Sequence, residues 1–348
     1  MPASASDVAA LAGVSQRTVS NVVRGYVHVR PETRERVQRA IDELNYRPNP
    51  SARSLREGRT GIIGLAVPEI ASPYFSELAD HVQRVAATRN VTLLIDQTGA
   101  DRERELLVLA GYRTHVIDGL IFSPMAMTVE DLRAHEPDMP LVLLGERIRG
   151  GGVLNVGIDN VTAGRDAVRH LLDGGRRRIA AVGADLTDNH VGTALGRLQG
   201  YRDAHREAGL APPPELAITT QGWGRASGYA AVAALLDGDT EVDALFCFND
   251  LLAIGGMRAL ADHGLRVPDD VAVVGWDDIE EASFTCPSLT SVSPAKAAIA
   301  ETAVTRLLEH IGGKPPVNQE TLCDYELVLR ESSTTRAPLS TTAAPGKR

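Results

Sequence analysis

Arg17, Ser20, Asn21 and Arg24 recur at the i, i+3, i+4, i+7 spacing of one helix face, with Gln16 beside Ser20. Arginine pairs with guanine, Gln or Asn with adenine, and Ser with several bases. The plain alternative is a solvated polar face on a small bundle. A face this rich in base-reading side chains, without Glu or Lys, favours DNA. A second group stands at the ends of apolar runs far downstream: Tyr74 and Phe75, Ser123, Asn249, and Trp276 with Asp277 and Asp278. Arg197 opens a helical segment and Trp223 lies in a Gly-rich loop. Aromatic faces stack on sugar or base rings, while Asn, Asp and Arg pair with ring hydroxyls. Singly, Asp278 could be a helix cap and Trp223 ordinary packing; their shared placement at strand ends favours a ligand site.

The motifs of common enzymes are missing. The chain has no G-x-x-x-x-G-K-[ST], no G-x-S-x-G and no H-E-x-x-H. Its nine histidines lack metal-ligand spacing. Arg176–Arg178 lie between a helix end and a strand, where water and the helix dipole suit them better than phosphate. An enzyme is therefore not expected, nor a cofactor or a metal.

The elements that must position these groups follow from the apolar pattern. Ser4 and Asp7 form an S-x-x-D capping box before a first helix with Val8, Leu11 and Ala12 on one face. Gly13 ends it and Ser15 can cap the second helix, whose apolar face is Val19, Val22 and Val23. Pro31 suits the first turn of a third helix with Val37, Ala40, Ile41 and Leu44 on its stripe. Three short helices, the first two joined by a tight Gly-containing turn, make an all-α helix-turn-helix head over residues 1–48. Residues 1–60 carry ten arginines against six acids, +4 in a chain of net charge −9, which leaves the remainder at −13. A basic head on an acidic body is the asymmetry of a DNA-binding domain joined to a domain with another task.

Residues 49–60, NPSARSLREGRT, are too short and polar for a core. Pro50 and Gly58 bracket one or two helical turns, marginal alone in water. Beyond them, short apolar runs alternate with helical segments: GIIGLAV, VTLLID, GLIFSP, LVLLG and VLNVGI, then RIAAVG, ALFCFN and VAVVGW. Such alternation means parallel sheets covered on both faces. Two sets of about five strands suggest an α/β core of two doubly wound parallel-sheet lobes over 61–335. The N-lobe is placed at about 61–159 and 292–323, the C-lobe at about 160–291 and 324–332. Ligands in such folds bind beyond the carboxyl ends of the strands, here in the cleft between lobes.

The stretches DVAALAGVSQRTVSNVVRG (Asp7–Gly25) and RPETRERVQRAIDELNYRPN (Arg30–Asn49) closely resemble the DNA-binding head of the lactose-repressor (LacI/GalR) family. The resemblance implies that the second helix enters the major groove. Gln16, Arg17 and Asn21 would then read bases, and Ser15, Thr18 and Ser20 would anchor phosphates, joined by Arg24. Arg30 departs from the usual Ser cap of the third helix and cannot accept its orphan N–H bonds. Residues 49–60 resemble the family's hinge helix, which orders only with dimer and DNA present. Ala52 and Arg53 would face the minor groove and Leu55 would wedge open a base step. An incidental leucine in a plain linker is the alternative; Arg53, Arg56 and Arg59 beside it favour the groove.

The body resembles the same family's periplasmic-sugar-binding-protein-like core, through IASPYFSEL, DGLIFSP, HVGTALGRLQGY, ALFCFND and VAVVGWDD. By those motifs Arg197, Asn249 and Asp277 correspond to its hydroxyl-binding trio, and Tyr74 and Phe75 to its lining aromatics. Gly145 stands where many members have a ligand-contacting Asp, with Glu146 or Arg147 as replacements, and Pro294 replaces a polar contact of some members. A sugar or sugar derivative is the expected effector and a pseudopalindromic double-stranded operator the expected DNA. The function implied is that of an allosterically controlled transcriptional regulator, usually a repressor. A sugar-transport protein would fit the body but not the head.

Hydrophobic residues make up 43% of the chain and charged residues 23%, an ordinary globular balance. No apolar run approaches the roughly 20 residues of a membrane span. The N-terminus lacks a basic start with an apolar stretch, so a cytoplasmic protein is expected. Three scattered cysteines do not suggest a disulfide framework. The Ser/Thr/Ala/Pro-rich tail, 336–348, is expected to be disordered and has no Leu heptads, so a homodimer is expected rather than a tetramer.

If Leu55 is a groove wedge, Leu55→Ala weakens operator binding far more than binding to random DNA. Competition titrations at fixed salt measure both; an unchanged ratio rejects the wedge.

Overall fold

The computed structural model describes residues 3–23, 26–47, 59–111, 116–135, 139–145, 148, 152–184, 192–238, 240–315 and 319–334. The chain divides between Gly61 and Ile62 into two compact units.

The first unit holds α1 (Ala5–Ala12), α2 (Gln16–Val23) and α3 (Pro31–Glu43). Ser4 and Asp7 form the expected reciprocal capping box, and Gly13 closes α1 with φ 63°. Ser15 Oγ accepts the Thr18 amide at 3.1 Å and so caps α2. Pro31 occupies the first turn of α3, and Arg30 gives no side-chain cap. Val8, Ala9, Ala12, Val19, Val22, Val37 and Ala40 form the core. Leu11 and Val23, expected inside, are 48% and 43% exposed. The buried arc of α1 is centred among Val8, Ala9 and Ala12, and Leu11 falls about a sixth of a turn outside it.

The second unit is a two-sheet α/β body. Its first sheet contains β1 (Ile62–Val67), β2 (Thr92–Gln97), β3 (Gly119–Phe122), β4 (Leu141–Leu144), β5 (Leu154–Ile158) and β11 (Glu320–Cys323), in the order β11-β5-β4-β3-β1-β2. Every pairing in it is parallel. The second sheet contains β6 (Ile179–Val182), β7 (Ala217–Ile218), β8 (Ala244–Cys247), β9 (Ala272–Trp276), β10 (Thr290–Ser293) and β12 (Glu326–Val328), in the order β12-β10-β9-β8-β6-β7. Only its edge strand β12 is antiparallel. The central strands are buried along their length, which is why they read as continuous apolar runs rather than alternating ones. Each sheet has six strands, not about five. Eight of the twelve are the apolar runs named above; the other four are the buried β10 and the short, half-exposed edge strands β7, β11 and β12, which carry no apolar run.

The helices are α4 (Pro73–Thr88), α5 (Arg102–Leu109), α6 (Val129–Ala134), α7 (Asn160–Asp173), α8 (Thr193–Glu207), α9 (Arg225–Leu236), α10 (Asp250–Asp262) and α11 (Lys296–Ile311). The chain crosses between lobes three times: before α7, between β10 and α11, and between β11 and β12. Helix α11 packs against α4 and the first sheet although it follows a strand of the second. Helix α5 ends at Leu109, just before Gly111 at φ 72°.

The Arg176–Arg178 run is bonded to backbone. Arg176 donates to the carbonyls of Asp270 and Pro268, Arg177 to that of Leu172 at the end of α7, and Arg178 to that of Glu241. The three cysteines are unpaired. Among the described residues no helix is long and apolar enough to cross a membrane.

Two helix pairs of the second lobe cross through glycine. A Cβ on Gly200 would overlap Val161 O across the α7–α8 contact. A Cβ on Gly228 or Gly255 would overlap the backbone of Leu252 or Arg225 across α9–α10. Gly255→Ala gains up to about 1 kcal/mol of helix propensity. It must also push two backbones apart, an overpacking cost of about 1–3 kcal/mol or more. We expect a net lower midpoint in urea unfolding; an equal or higher midpoint would show that the crossing is not close-packed.

Candidate ligand-binding cleft

The carboxyl ends of both sheets open on a cavity of about 380 Å³. That is within the roughly 300–1,000 Å³ of small-molecule sites. Its wall is built from the segments that leave the strands. Glu69, Ser72, Tyr74 and Phe75 follow β1, Ser123 and Met125 follow β3, and Gly145 follows β4. Asn249 follows β8, Asp277 follows β9 and Pro294 follows β10. Arg197 and Trp223 enter from α8 and from the loop before α9. The structure thus gathers Tyr74, Phe75, Ser123, Arg197, Trp223, Asn249 and Asp277 on one cavity. Glu146 lies outside the described residues.

Arg197 is 6% exposed. Its Nε donates to Asn160 Oδ1 at 2.9 Å, and an Nη donates to the Phe248 carbonyl. The guanidinium lies 4.0 Å from the centre of the Trp276 ring and 5.6 Å from that of Trp223. Stacking on indole suits a cation removed from water. Gly196, one residue earlier, lets α8 pass tight against Asn160.

Asn249 does two structural tasks. Its Oδ1 accepts the Leu252 amide at 2.8 Å, capping α10, and its Nδ2 donates to the Trp223 carbonyl at 2.9 Å. An amide oxygen and an NH2 group each keep further hydrogen-bonding capacity. Trp223 is held edge-on to Phe248, with ring centres 6.3 Å apart. Tyr74 and Phe75 also meet edge to face, at 5.0 Å.

Asp277 has φ 105° and Asp278 φ 47°, values that L residues seldom adopt. Such backbone costs on the order of 1–3 kcal/mol and persists where its surroundings hold it. Burial raises the Asp277 pKa to about 7, against the lowering effect of Arg197 and Lys296. Beneath it Asp250 is fully buried and receives the Ser291 hydroxyl and the Ile279 amide. Its pKa is raised well above the carboxylate range, first by burial and then by Asp277. Asp278 does not cap a helix; its carboxylate pairs with Arg330 at 2.6 Å.

The first lobe contributes most of the apolar lining, Leu78, Leu144, Val156, Ile158 and Ile299, beside Glu69, Ser72 and Ser123. The cleft therefore presents a hydrogen-bonding face drawn largely from the second lobe and an apolar face drawn largely from the first. Asn160 and Ile299 are lining residues that sequence reasoning missed. Asn160 directly follows the run ending at Ile158, so the strand-end rule could have found it. Ile299 enters from α11, which lies in the stretch 292–323 expected in the N-lobe. Among the described residues no cluster of His, Cys, Asp and Glu is placed to hold a metal.

In the head, Ser15, Gln16 and Arg17 are exposed at the start of α2, and Thr18, Ser20 and Asn21 are half-exposed. Ser15 Oγ and Thr18 Oγ1 are 2.9 Å apart. Arg24, Ala52, Arg53 and Leu55 lie outside the described residues.

Comparison with known proteins agrees with both units. Residues 5–49 match the lacI family of bacterial regulatory proteins, and residues 168–333 match a periplasmic binding protein-like domain. The ribose operon repressor of Haemophilus influenzae is 32% identical over 331 residues, 95% of this chain and 98% of that protein. The structure of a LacI-family transcriptional regulator from Sanguibacter keddieii is 42% identical with a TM-score of 0.74, covering 80% of this chain and 100% of that one. The lac repressor dimer bound to operator and the anti-inducer ONPF is 28% identical with a TM-score of 0.84, covering 96% and 100%. The chain belongs to the LacI family and is a DNA-binding transcriptional repressor.

Proposed function

We propose that this repressor is switched by a small polyhydroxylated molecule, a sugar or sugar derivative, bound in the cleft between its two lobes. The observation that carries this reading is the convergence of Arg197, Asn249 and Asp277, all of the second lobe, on a cavity whose apolar lining comes largely from the first. Hydroxyl groups meet these polar side chains and a ring face or apolar substituent meets the apolar lining. Tyr74, Phe75 and Trp223 offer stacking surfaces, and Ser123 a further hydroxyl contact. Glu146 is retained as a contact beside Gly145.

Two chains form a symmetric dimer, and their heads occupy the half-sites of a pseudopalindromic operator. Gln16, Arg17 and Asn21 read bases; Ser15, Thr18, Ser20 and Arg24 hold phosphates; Ala52, Arg53 and Leu55 meet the minor groove. Ligand binding changes the lobe angle and so the geometry offered to the two hinge segments. Coupling of about 1–3 kcal/mol, some 5–150-fold in operator affinity, is usual for such a device.

Thermal unfolding against a panel of sugars, sugar phosphates and nucleosides tests the reading. A true effector at 100 times its Kd adds about 2.7 kcal/mol of stability. Asp277→Asn and Arg197→Met each remove that shift while operator binding by the ligand-free protein persists. A shift that survives both substitutions places the site elsewhere.

The raised Asp277 pKa gives a second prediction. A ligand hydroxyl donating to the carboxylate favours its ionised form, so binding lowers the pKa from about 7 and releases a proton. Affinity rises between about pH 6 and pH 8, and the calorimetric binding enthalpy varies with buffer ionisation heat near pH 7. In the free protein the sign is reversed. The folded pKa exceeds the ordinary aspartate value of 3.8, so stability from this group is fully present below about pH 4 and is lost as pH rises through 7. Buffer-independent enthalpy with flat affinity would mean that the ligand does not engage this carboxylate.

A further inference from the structure

We propose that Lys296 is a positioning residue for Asp277: clamped by Glu77, it ties the carboxylate face of the cleft to the helices of the first lobe. The inference rests on the reading of Asp277 as a ligand group, and its test needs no ligand.

The backbone of residues 277–280 is held on every side. The Asp277 amide bonds the Val292 carbonyl at 2.9 Å. The Asp278 amide bonds Ser291 Oγ at 3.0 Å, and the Ile279 amide bonds Asp250 at 2.9 Å. Those three restraints come from the second lobe. The remaining ones do not. Lys296 Nζ donates to the carbonyls of both Asp277 and Asp278, at 2.7 and 2.8 Å. It also pairs with Glu77 at 2.6 Å, with a lysine side chain only 10% exposed. The other oxygen of Glu77 accepts the Glu280 amide at 2.9 Å.

Glu77 stands on α4 and Lys296 begins α11, two helices packed together on the first lobe. The pair therefore bonds the second lobe's loop at the residues with positive φ. An ammonium is suited to this: its donors diverge and can hold two carbonyls and a carboxylate together. A charge-assisted bond to a carbonyl is also stronger than a neutral one. A displacement of α4 and α11 must pull directly on the strained Asp277–Asp278 peptide, or break these bonds.

Hydrogen exchange and carboxylate titration of the full-length, ligand-free protein test the tie. In Lys296→Met, amides of 278–280 should exchange about tenfold faster or more, while those of β8 stay protected. The Asp277 13C carboxylate resonance, assigned by its loss in Asp277→Asn, faces Arg197, Lys296, Glu77 and Asp250. If the freed loop turns it toward water, its midpoint falls toward the ordinary value. Mere removal of a neighbouring cation would raise it instead. Lys296→Arg should restore both readouts. Glu77→Gln keeps the acceptor for the Glu280 amide and serves if Lys296→Met does not fold; it should shift both readouts in the same direction by less. Wild-type exchange at 278–280, a raised midpoint, or faster exchange across the whole lobe overturns the proposal.

Discussion

A guanidinium removed from water must be bonded and neutralised where it lies, and much of the cleft is organised around that requirement of Arg197. Its partners come from different elements. Asn160 starts α7, Phe248 ends the β8 segment, and Trp276 ends β9. Satisfying one side chain therefore brings the ends of two strands of the second sheet, β8 and β9, to a common point with the segment that leaves β5 of the first. Leaving such a charge buried without its partners costs several kcal/mol. The next residue after Trp276 is Asp277, so the stack that shelters the cation also delivers its counter-charge. Asp277 in turn is kept near the middle of its titration by burial opposed by Arg197 and Lys296.

That arrangement needs helices closer together than ordinary side chains permit. Gly164 and Gly200 admit the α7–α8 approach, and Gly228 and Gly255 the α9–α10 approach. Arg197 lies on α8, three residues before Gly200. Trp223 and Asn249 stand just ahead of α9 and α10. The glycine contacts fix the spacing of the elements from which the polar face projects. Packing at this density transmits displacement instead of absorbing it.

The parts of this architecture that were legible in the sequence are those governed by local chemistry. The Ser4–Asp7 box, the Gly13 stop and the Pro31 start are short-range signals, and all three appear as read. Buried parallel strands announce themselves as apolar runs, and the strand-end rule then points to six cavity residues, Tyr74, Phe75, Ser123, Asn249, Trp276 and Asp277. What escaped depends on distance along the chain. β11 and β12 are short edge strands whose pairing partners lie far earlier in the sequence. The return of 292–323 to the first lobe was expected, but which residue of α11 reaches the cavity, Ile299, is decided by its packing against α4. Lys296 and Glu77 had ordinary sequence surroundings; their 219-residue separation gives no hint that they meet. Leu11 and Val23 were misplaced because a helical stripe specifies a direction, while the width of the buried arc depends on neighbouring helices.

The two faces of the cleft differ in how they constrain a ligand. Hydrogen bonds to Arg197, Asn249 and Asp277 are directional, so the second lobe would fix orientation. Contacts with Leu78, Leu144, Val156 and Ile299 are non-directional and grow with the area removed from water. A ligand oriented by the second lobe thus leaves the first lobe free to slide until its apolar wall is covered. Non-directional closure has no preferred stopping angle of its own. The Glu77–Lys296 tie supplies one, because its bonds to Asp277, Asp278 and Glu280 have fixed lengths. The first lobe is also the one whose leading strand follows the head in sequence. On the function proposed above, a ligand that changed where closure stops would act on the lobe next to the DNA-binding unit in the chain, and a few polar contacts in the other lobe would select it.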